Sequence, residues 1–234
     1  MAAGKESAVI VGAGSGLSAA LARLFAREGM KVILAARSAA KLEALTGEIG
    51  GEAVACDASK PADVQALFDG PVRAAGTPSI VVYNASSRVR GPITDLDPAE
   101  VQKAIMVSCY GGFLVGQAAA RLMLARGSGS IFFTGASASV KGYANSASFA
   151  MGKFGLRGLA QSMARELAPK NIHVAHFVID GGILKAGGDA RAGARGADGM
   201  LEADSIAETY MAVYRQHRSA WSFEVDVRPW VEKF

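Results

Sequence analysis

The chain holds 234 residues, half of them apolar and a fifth charged, with 25 basic against 21 acidic side chains and a net charge of +4. This composition can bury a substantial core and excludes disorder and collagen-like repetition; the small basic excess argues against nucleic acid as a partner. Cys56 and Cys109 match neither a disulfide framework nor a metal-site spacing, so a reducing cytoplasm is the expected setting and no metal is expected. The first residues run straight into a strand-like stretch with no signal-peptide pattern, and no apolar run reaches the roughly 18 to 20 residues that cross a bilayer. A membrane is therefore not an expected partner. Glycine is abundant, at 28 against 7 prolines, and that excess needs a reason.

Short apolar runs alternate with amphipathic stretches along the chain. Ser7–Gly12 reads as a buried strand, and Leu17, Leu21, Leu24 and Phe25 share one face of a helix that Gly29 stops. Lys31–Ala36 is a second strand, Ala39–Ile49 a helix, Glu52–Cys56 a third strand and Ala62–Ala74 a helix entered through Pro61. Ser79–Asn84 is strand four, Pro98–Arg126 a long helical region and Ser130–Gly135 strand five. Ser148–Leu167 is a long helix, Ile172–Ile179 strand six and Ser205–Arg215 a helix; the alternating tail from Trp221 adds a last strand. Crossovers of this length join parallel strands with a right-handed turn. The expected architecture is α/β: one domain over 1–234, a doubly wound parallel sheet between two helical layers. Lys185–Gly199, almost all Gly, Ala, Arg and Asp, is too poor in apolar residues to pack well and reads as mobile.

Two features point to a dinucleotide. After the first strand comes Gly12-Ala13-Gly14-Ser15-Gly16-Leu17-Ser18, where glycines allow a tight turn and let a pyrophosphate reach the positive end of the next helix. At the end of strand two, where a carboxylate would hold the ribose 2′-hydroxyl of NAD, stand Arg37 and Ser38. A guanidinium there suits a 2′-phosphate, so the cofactor expected is NADP(H).

With these motifs in place the sequence resembles the short-chain dehydrogenase/reductase family, whose Rossmann-type fold and glycine turn match Gly12, Gly14 and Gly16. The resemblance implies adenine contacts at Asp57 and Ala58, ribose contacts at Asn84 and Ala85 within Tyr83-Asn84-Ala85-Ser86, and nicotinamide contacts at Gly181 and Ile183. It also implies a catalytic tetrad of tyrosine, lysine, serine and asparagine. Lys153 matches the lysine, but the tyrosine position is Phe149, the serine position Ala136 and the asparagine position Ser108. A phenyl ring cannot exchange a proton. Ser137 and Ser139 are possible substitutes for the serine, Tyr143 is either a replacement acid or an ordinary loop tyrosine, and Asp180 is either an ionisable helper or a cap. Gly12, Ser18 and Ala20 also fit the turn of the related enoyl-thioester reductases, whose tyrosine position is Ser146 here.

Lys153 shares an apolar helical stripe with Phe149, Leu156, Ala160, Met163 and Leu167, which is costly unless its ammonium meets a polar partner such as a ribose hydroxyl. The segment 181–204 is expected to form a substrate lid, with Lys185, Arg191 and Arg195 either facing an anionic substrate or simply solvated. The long helices and the exposed tryptophans of the tail point to a homodimer or homotetramer. Two readings remain. One is an NADP(H)-dependent oxidoreductase acting on a small-molecule carbonyl, alcohol or activated alkene with an incomplete tetrad; the other is a silent NADP(H)-binding sensor or scaffold.

Overall fold

The computed structural model describes residues 6–185 and 187–232. Seven parallel strands form one sheet in the order β3-β2-β1-β4-β5-β6-β7. They are β1 (Ser7–Val11), β2 (Lys31–Ala36), β3 (Glu52–Ala55), β4 (Ile80–Tyr83), β5 (Gly129–Thr134), β6 (Ile172–Ile179) and β7 (Glu224–Val227). Strand order reverses between β1 and β4, the crevice at which doubly wound sheets bind ligands.

Alternation along each strand builds two cores. On β1, Ala8 and Ile10 face helices α1 (Leu17–Arg27), α2 (Glu43–Ile49) and α8 (Ala203–Tyr214), while Val9 and Val11 face the other layer. That second layer holds α3 (Pro61–Leu67), α4 (Pro98–Ile105), α5 (Gly111–Arg126) and α6 (Ala147–Leu167). α7 (Ala190–Arg195) lies in the segment before α8.

The expected elements are all present, with local corrections. The helix expected from Ala39 begins as a 3-10 turn, Ala39–Leu42. The helix expected through Ala74 opens at Phe68–Val72 into a π turn, because Pro71 has no N–H to donate. A π turn at Met106–Tyr110 likewise joins α4 to α5. The resulting rod, Pro98–Arg126, spans 29 residues and is long and apolar enough to cross a membrane, which corrects the expectation that no such stretch exists. One face of that rod is core, with Val115, Ala119 and Met123 fully buried against the sheet. Within the stretch read as mobile, residues 190–195 form α7, whose first turn is capped by the Asp189 carboxylate accepting from Arg191 N. Trp221 is covered within the chain by stacking on His173 at 4.7 Å, whereas Trp230 is 81% exposed.

β7 is tied to α6 by a fork of hydrogen bonds from Arg157 to Glu224 at 2.6 and 2.7 Å, and the same carboxylate lies 3.1 Å from His176 Nδ1. Burial holds this imidazole neutral and lowers its pKa from 6.5 to about 4 against the opposing pull of Glu224. Because the folded value lies below the unfolded one, the unfolded chain binds the extra proton. Stability is therefore full above about pH 6.5 and falls as pH drops toward 4, by up to ~3 kcal/mol from this group. Urea midpoints measured from pH 7.5 to 4.5 are expected to slope less steeply in His176→Gln than in the wild type; identical slopes would remove His176 as the cause.

Candidate functional site

The cleft at the switch between β1 and β4 encloses about 970 Å³ and is lined by residues from four consecutive strand ends, among them Gly12, Ser15, Arg37, Asp57 and Ala85. The turn after β1 is held by its own backbone: Gly12 N and Ala13 N both donate to Ala35 O, at 2.9 and 3.0 Å. A side-chain relay closes it from the other flank. Asn84 Nδ2 donates to Ser18 Oγ at 2.7 Å, and Ser18 Oγ donates to Gly12 O at 3.2 Å.

The three turn glycines differ in what they need. Gly12 has φ +88°, and a Cβ there would stand 2.3 Å from Ala85 N, so the protein's own backbone requires glycine. At Gly14 and Gly16 a Cβ would meet no protein atom within 4 Å. Both face open space, and Gly14 lines the cleft. Gly16 precedes α1 without a side-chain cap, and no acidic residue occupies that helix's first turn. Its positive end is left without a carboxylate of its own, which fits an anionic pyrophosphate. Leu17 is buried and anchors α1, while Ser15 lines the cleft.

At the end of β2, Arg37 and Ser38 are exposed and form no side-chain hydrogen bond or ion pair among the described residues. Lys41 joins them on the cleft wall, a cation the sequence reading missed although it lies one helical turn beyond Arg37. After β3, Asp57 is fixed by accepting from Ser59 N and Oγ at 3.1 and 2.7 Å, and these bonds hold its carboxyl below the usual range. Asp57, Ala58, Asn84 and Ala85 all face the same cleft. These residues fit a dinucleotide; Lys153, Gly181 and Ile183 lie beyond this lining.

Lys153 is 3% exposed, and its ammonium donates to Thr134 O at 2.6 Å. Burial first, and the nearby Arg88 charge second, bring its pKa from 10.5 down to about 8. Phe149 is 8% exposed; its ring centre is 5.8 Å from Lys153 Nζ and 3.8 Å from the guanidinium carbon of Arg88. Ser108 is fully buried and spends its hydroxyl on the loop after β4, donating to Ser87 O at 3.1 Å and accepting from Ser87 N at 2.9 Å. Ser148 does the same for Val89, at 2.9 and 3.0 Å. Neither Arg88 nor Ser148 was singled out from the sequence.

The substitute groups fare unequally. Ser139 is buried with its hydroxyl accepting from Ala136 N at 3.1 Å, whereas Ser137 stays partly exposed with no side-chain hydrogen bond. Tyr143 is 47% exposed on its loop, with the Lys141 ammonium 5.8 Å from its ring. Asp180 pairs with Arg228 at 3.8 Å and Lys141 at 4.0 Å, so its carboxylate has structural partners. Tyr210, unremarked in the sequence, reaches Thr134 Oγ1 at 2.9 Å. It is fully buried in the opposite helical layer, stacked on Phe177 at 3.6 Å, and burial pushes its phenol far above the ordinary range. The two lid arginines, read as either facing an anionic substrate or solvated, are engaged within the chain. Arg191 pairs with Asp189 at 2.9 Å and donates to Ile183 O, and Arg195 lies 3.5 Å from Glu232.

Residues 6–188 match the short chain dehydrogenase family. The chain is similar to the short chain aldehyde dehydrogenase 1 of Euphorbia lathyris, at 32% identity over 71% of this chain and 60% of that protein's length. Among solved structures it is similar to a short-chain dehydrogenase from Rhodopseudomonas palustris, at 38% identity and a TM-score of 0.84 over 96% of this chain and 99% of that one. A metagenomic short-chain oxidoreductase crystallised in complex with NADP is 33% identical, with a TM-score of 0.82 over 96% and 97% of the two chains. The chain belongs to the short-chain dehydrogenase/reductase family of oxidoreductases.

Proposed function

We propose that the protein is an NADP(H)-dependent oxidoreductase acting on a small carbonyl, alcohol or activated alkene. The observation that carries the cofactor choice is the pair Arg37 and Ser38 at the end of β2, with no side-chain hydrogen bond or ion pair among the described residues and Lys41 beside them. Three donors converge there where NAD would want a carboxylate. Gly14, Ser15, Gly16 and Leu17 present the helix end to the pyrophosphate, Asp57 and Ala58 border the adenine, and Asn84 and Ala85 border the ribose. Lys153 holds the nicotinamide ribose, with Gly181 and Ile183 closing the far side.

When bound, NADPH supplies a hydride. The chain's residues orient the substrate, and the proton that completes reduction of a carbonyl oxygen comes from solvent, because Phe149 has none to give. Ser137 is the one hydroxyl near the serine position free to steady that oxygen. The exposed apolar side chains Phe113, Leu124, Met151 and Phe154 on α5 and α6 support a homodimer or homotetramer, and the free thiols Cys56 and Cys109 a reducing cytoplasm. The second reading, a silent NADP(H) binder, is favoured by Arg88 lying over Phe149 where a catalytic hydroxyl would stand.

NADPH consumption measured across a panel of aldehydes, ketones and enones separates the two. The oxidoreductase reading expects slow turnover on at least one class, and Phe149→Tyr is expected to raise carbonyl reduction by about 10²-fold, the usual contribution of a positioned acid. Cofactor binding with no turnover by either protein would leave only the silent binder.

A further inference from the structure

The loop after β4 carries a cation to which neither the fold nor the cofactor assigns a task. Arg88 places its guanidinium carbon 3.8 Å from the centre of the Phe149 ring, and Lys153 brings a second cation to 5.8 Å from the same ring. Arg88 forms no hydrogen bond or ion pair with any described residue. Its side chain is exposed, but the backbone on either side of it is fixed. Both backbone polar groups of Ser87 are bonded to the Ser108 hydroxyl, and both of Val89 to the Ser148 hydroxyl. Two helices therefore clamp the residue on either side of Arg88, one from the π turn before α5 and one from α6. The exposed side chain therefore rises from a fixed stretch of backbone and lies on the Phe149 ring.

The chemistry of that position is specific. An aromatic ring over a guanidinium occupies its face and leaves the in-plane N–H groups at its edge to donate, the geometry that grips a planar carboxylate with two bonds. Partial desolvation lowers the Arg88 pKa, with the Arg90 charge adding to the effect, and among the described residues no carboxylate pairs with Arg88. The lid arginines, by contrast, are already paired.

We infer that Arg88 is the anion-binding group of the substrate site, and that the substrate carries a carboxylate, which this guanidinium holds beside Phe149 and Lys153. The inference rests on the reading of the cleft as a cofactor site with its reacting end at Lys153. In this arrangement the substrate is an oxo or hydroxy acid, or an unsaturated acid, rather than an uncharged ketone. Arg88 is a specificity-determining residue: it orients the acid while the carbon to be reduced faces the cofactor.

The test is a titration of the NADP⁺-saturated protein with 4-oxopentanoate and with its methyl ester, followed by ligand-observed NMR. The acid is expected to bind about tenfold more tightly than the ester, the scale of one charge-assisted pair in a partly wet site. Arg88→Met is expected to erase that preference, while Arg88→Lys restores only part of it, since a point charge lacks the planar fork. NADP⁺ affinity, measured first on each variant, is expected to stay within about twofold of the wild type. Equal affinity for acid and ester, no binding of either, or a preference that survives Arg88→Met overturns the inference. So does a large loss of NADP⁺ affinity in Arg88→Met, which would assign the guanidinium to the cofactor. Failure of the wild type to bind NADP⁺ at all strikes the cofactor reading instead.

Discussion

Gly12→Ala is expected to lower the stability of the cofactor-free protein by roughly 3–5 kcal/mol, a fall of about 10 °C in Tm for a domain of this size. Two costs add. The backbone at Gly12 has φ +88°, and the new methyl would sit 2.3 Å from Ala85 N and 2.4 Å from Ala85 Cα. Backbone atoms cannot rotate aside as a side chain can. The loop after β4 would have to retreat, and the relay from Asn84 through Ser18 to Gly12 O would stretch with it. Gly14→Ala provides the contrast. Its added methyl meets no protein atom within 4 Å, so thermal unfolding of the cofactor-free protein is expected to change by less than about 0.5 kcal/mol. The same methyl projects into the space assigned to the pyrophosphate, and NADPH affinity is expected to fall by about tenfold or more. Differential scanning with and without NADPH reads both effects. An equal loss of stability in the two variants would show that the turn tolerates no side chain for reasons unrelated to a ligand.

Arg37→Ala is expected to weaken NADPH by about 10- to 100-fold and to leave NADH within about twofold. One charge-assisted contact to a phosphate is worth roughly 1.5–3 kcal/mol, whereas the effect of Arg37 on Asp57, which NADH would share, is the smallest of those acting on that carboxyl. Arg37 is exposed, and it makes no hydrogen bond or ion pair among the described residues, so its removal costs the fold little. Ser38 and Lys41 stay in place on the cleft wall and retain part of the affinity, which sets the lower end of the range. Equal weakening of both nucleotides would show that Arg37 acts on something other than the 2′-phosphate.

The fold was largely legible in the sequence because its signals are local. β2 and β6 fall at the expected boundaries, since buried parallel strands read as continuous apolar runs between sharp stops. Where the reading slipped, a longer-range or subtler cause prevailed. Pro71 turned the end of one helix into a π turn, and Asp189 capped a helix in a segment whose composition suggested none. The glycine turn after β1 was visible because glycine spacing and strand order are linked by geometry.

The catalytic end was legible mainly by subtraction. The family resemblance implied that Phe149, Ala136 and Ser108 stand at tetrad positions, but it did not imply what the structure makes of those residues. Ser108 and Ser148 pin a loop, and that loop delivers Arg88 onto the Phe149 ring. Such a site depends on residues that meet only after folding, and an arginine in a loop looks like any solvated charge. In the lid the sequence left Arg191 and Arg195 open between facing an anionic substrate and being solvated, and the structure pairs them with Asp189 and Glu232. Of the glycine excess, Gly12 now has a physical account: it is bare because Ala85 abuts it, whereas Gly14 and Gly16 face open space.

The central claim is that this cleft is built for NADPH. Calorimetric titration of the wild-type protein with NADPH and, separately, NADH tests it most directly. The account predicts one NADPH per chain, bound at least about tenfold more tightly than NADH, as a phosphate held by Arg37 requires. Absence of binding by both nucleotides, or equal affinity for the two, would contradict it.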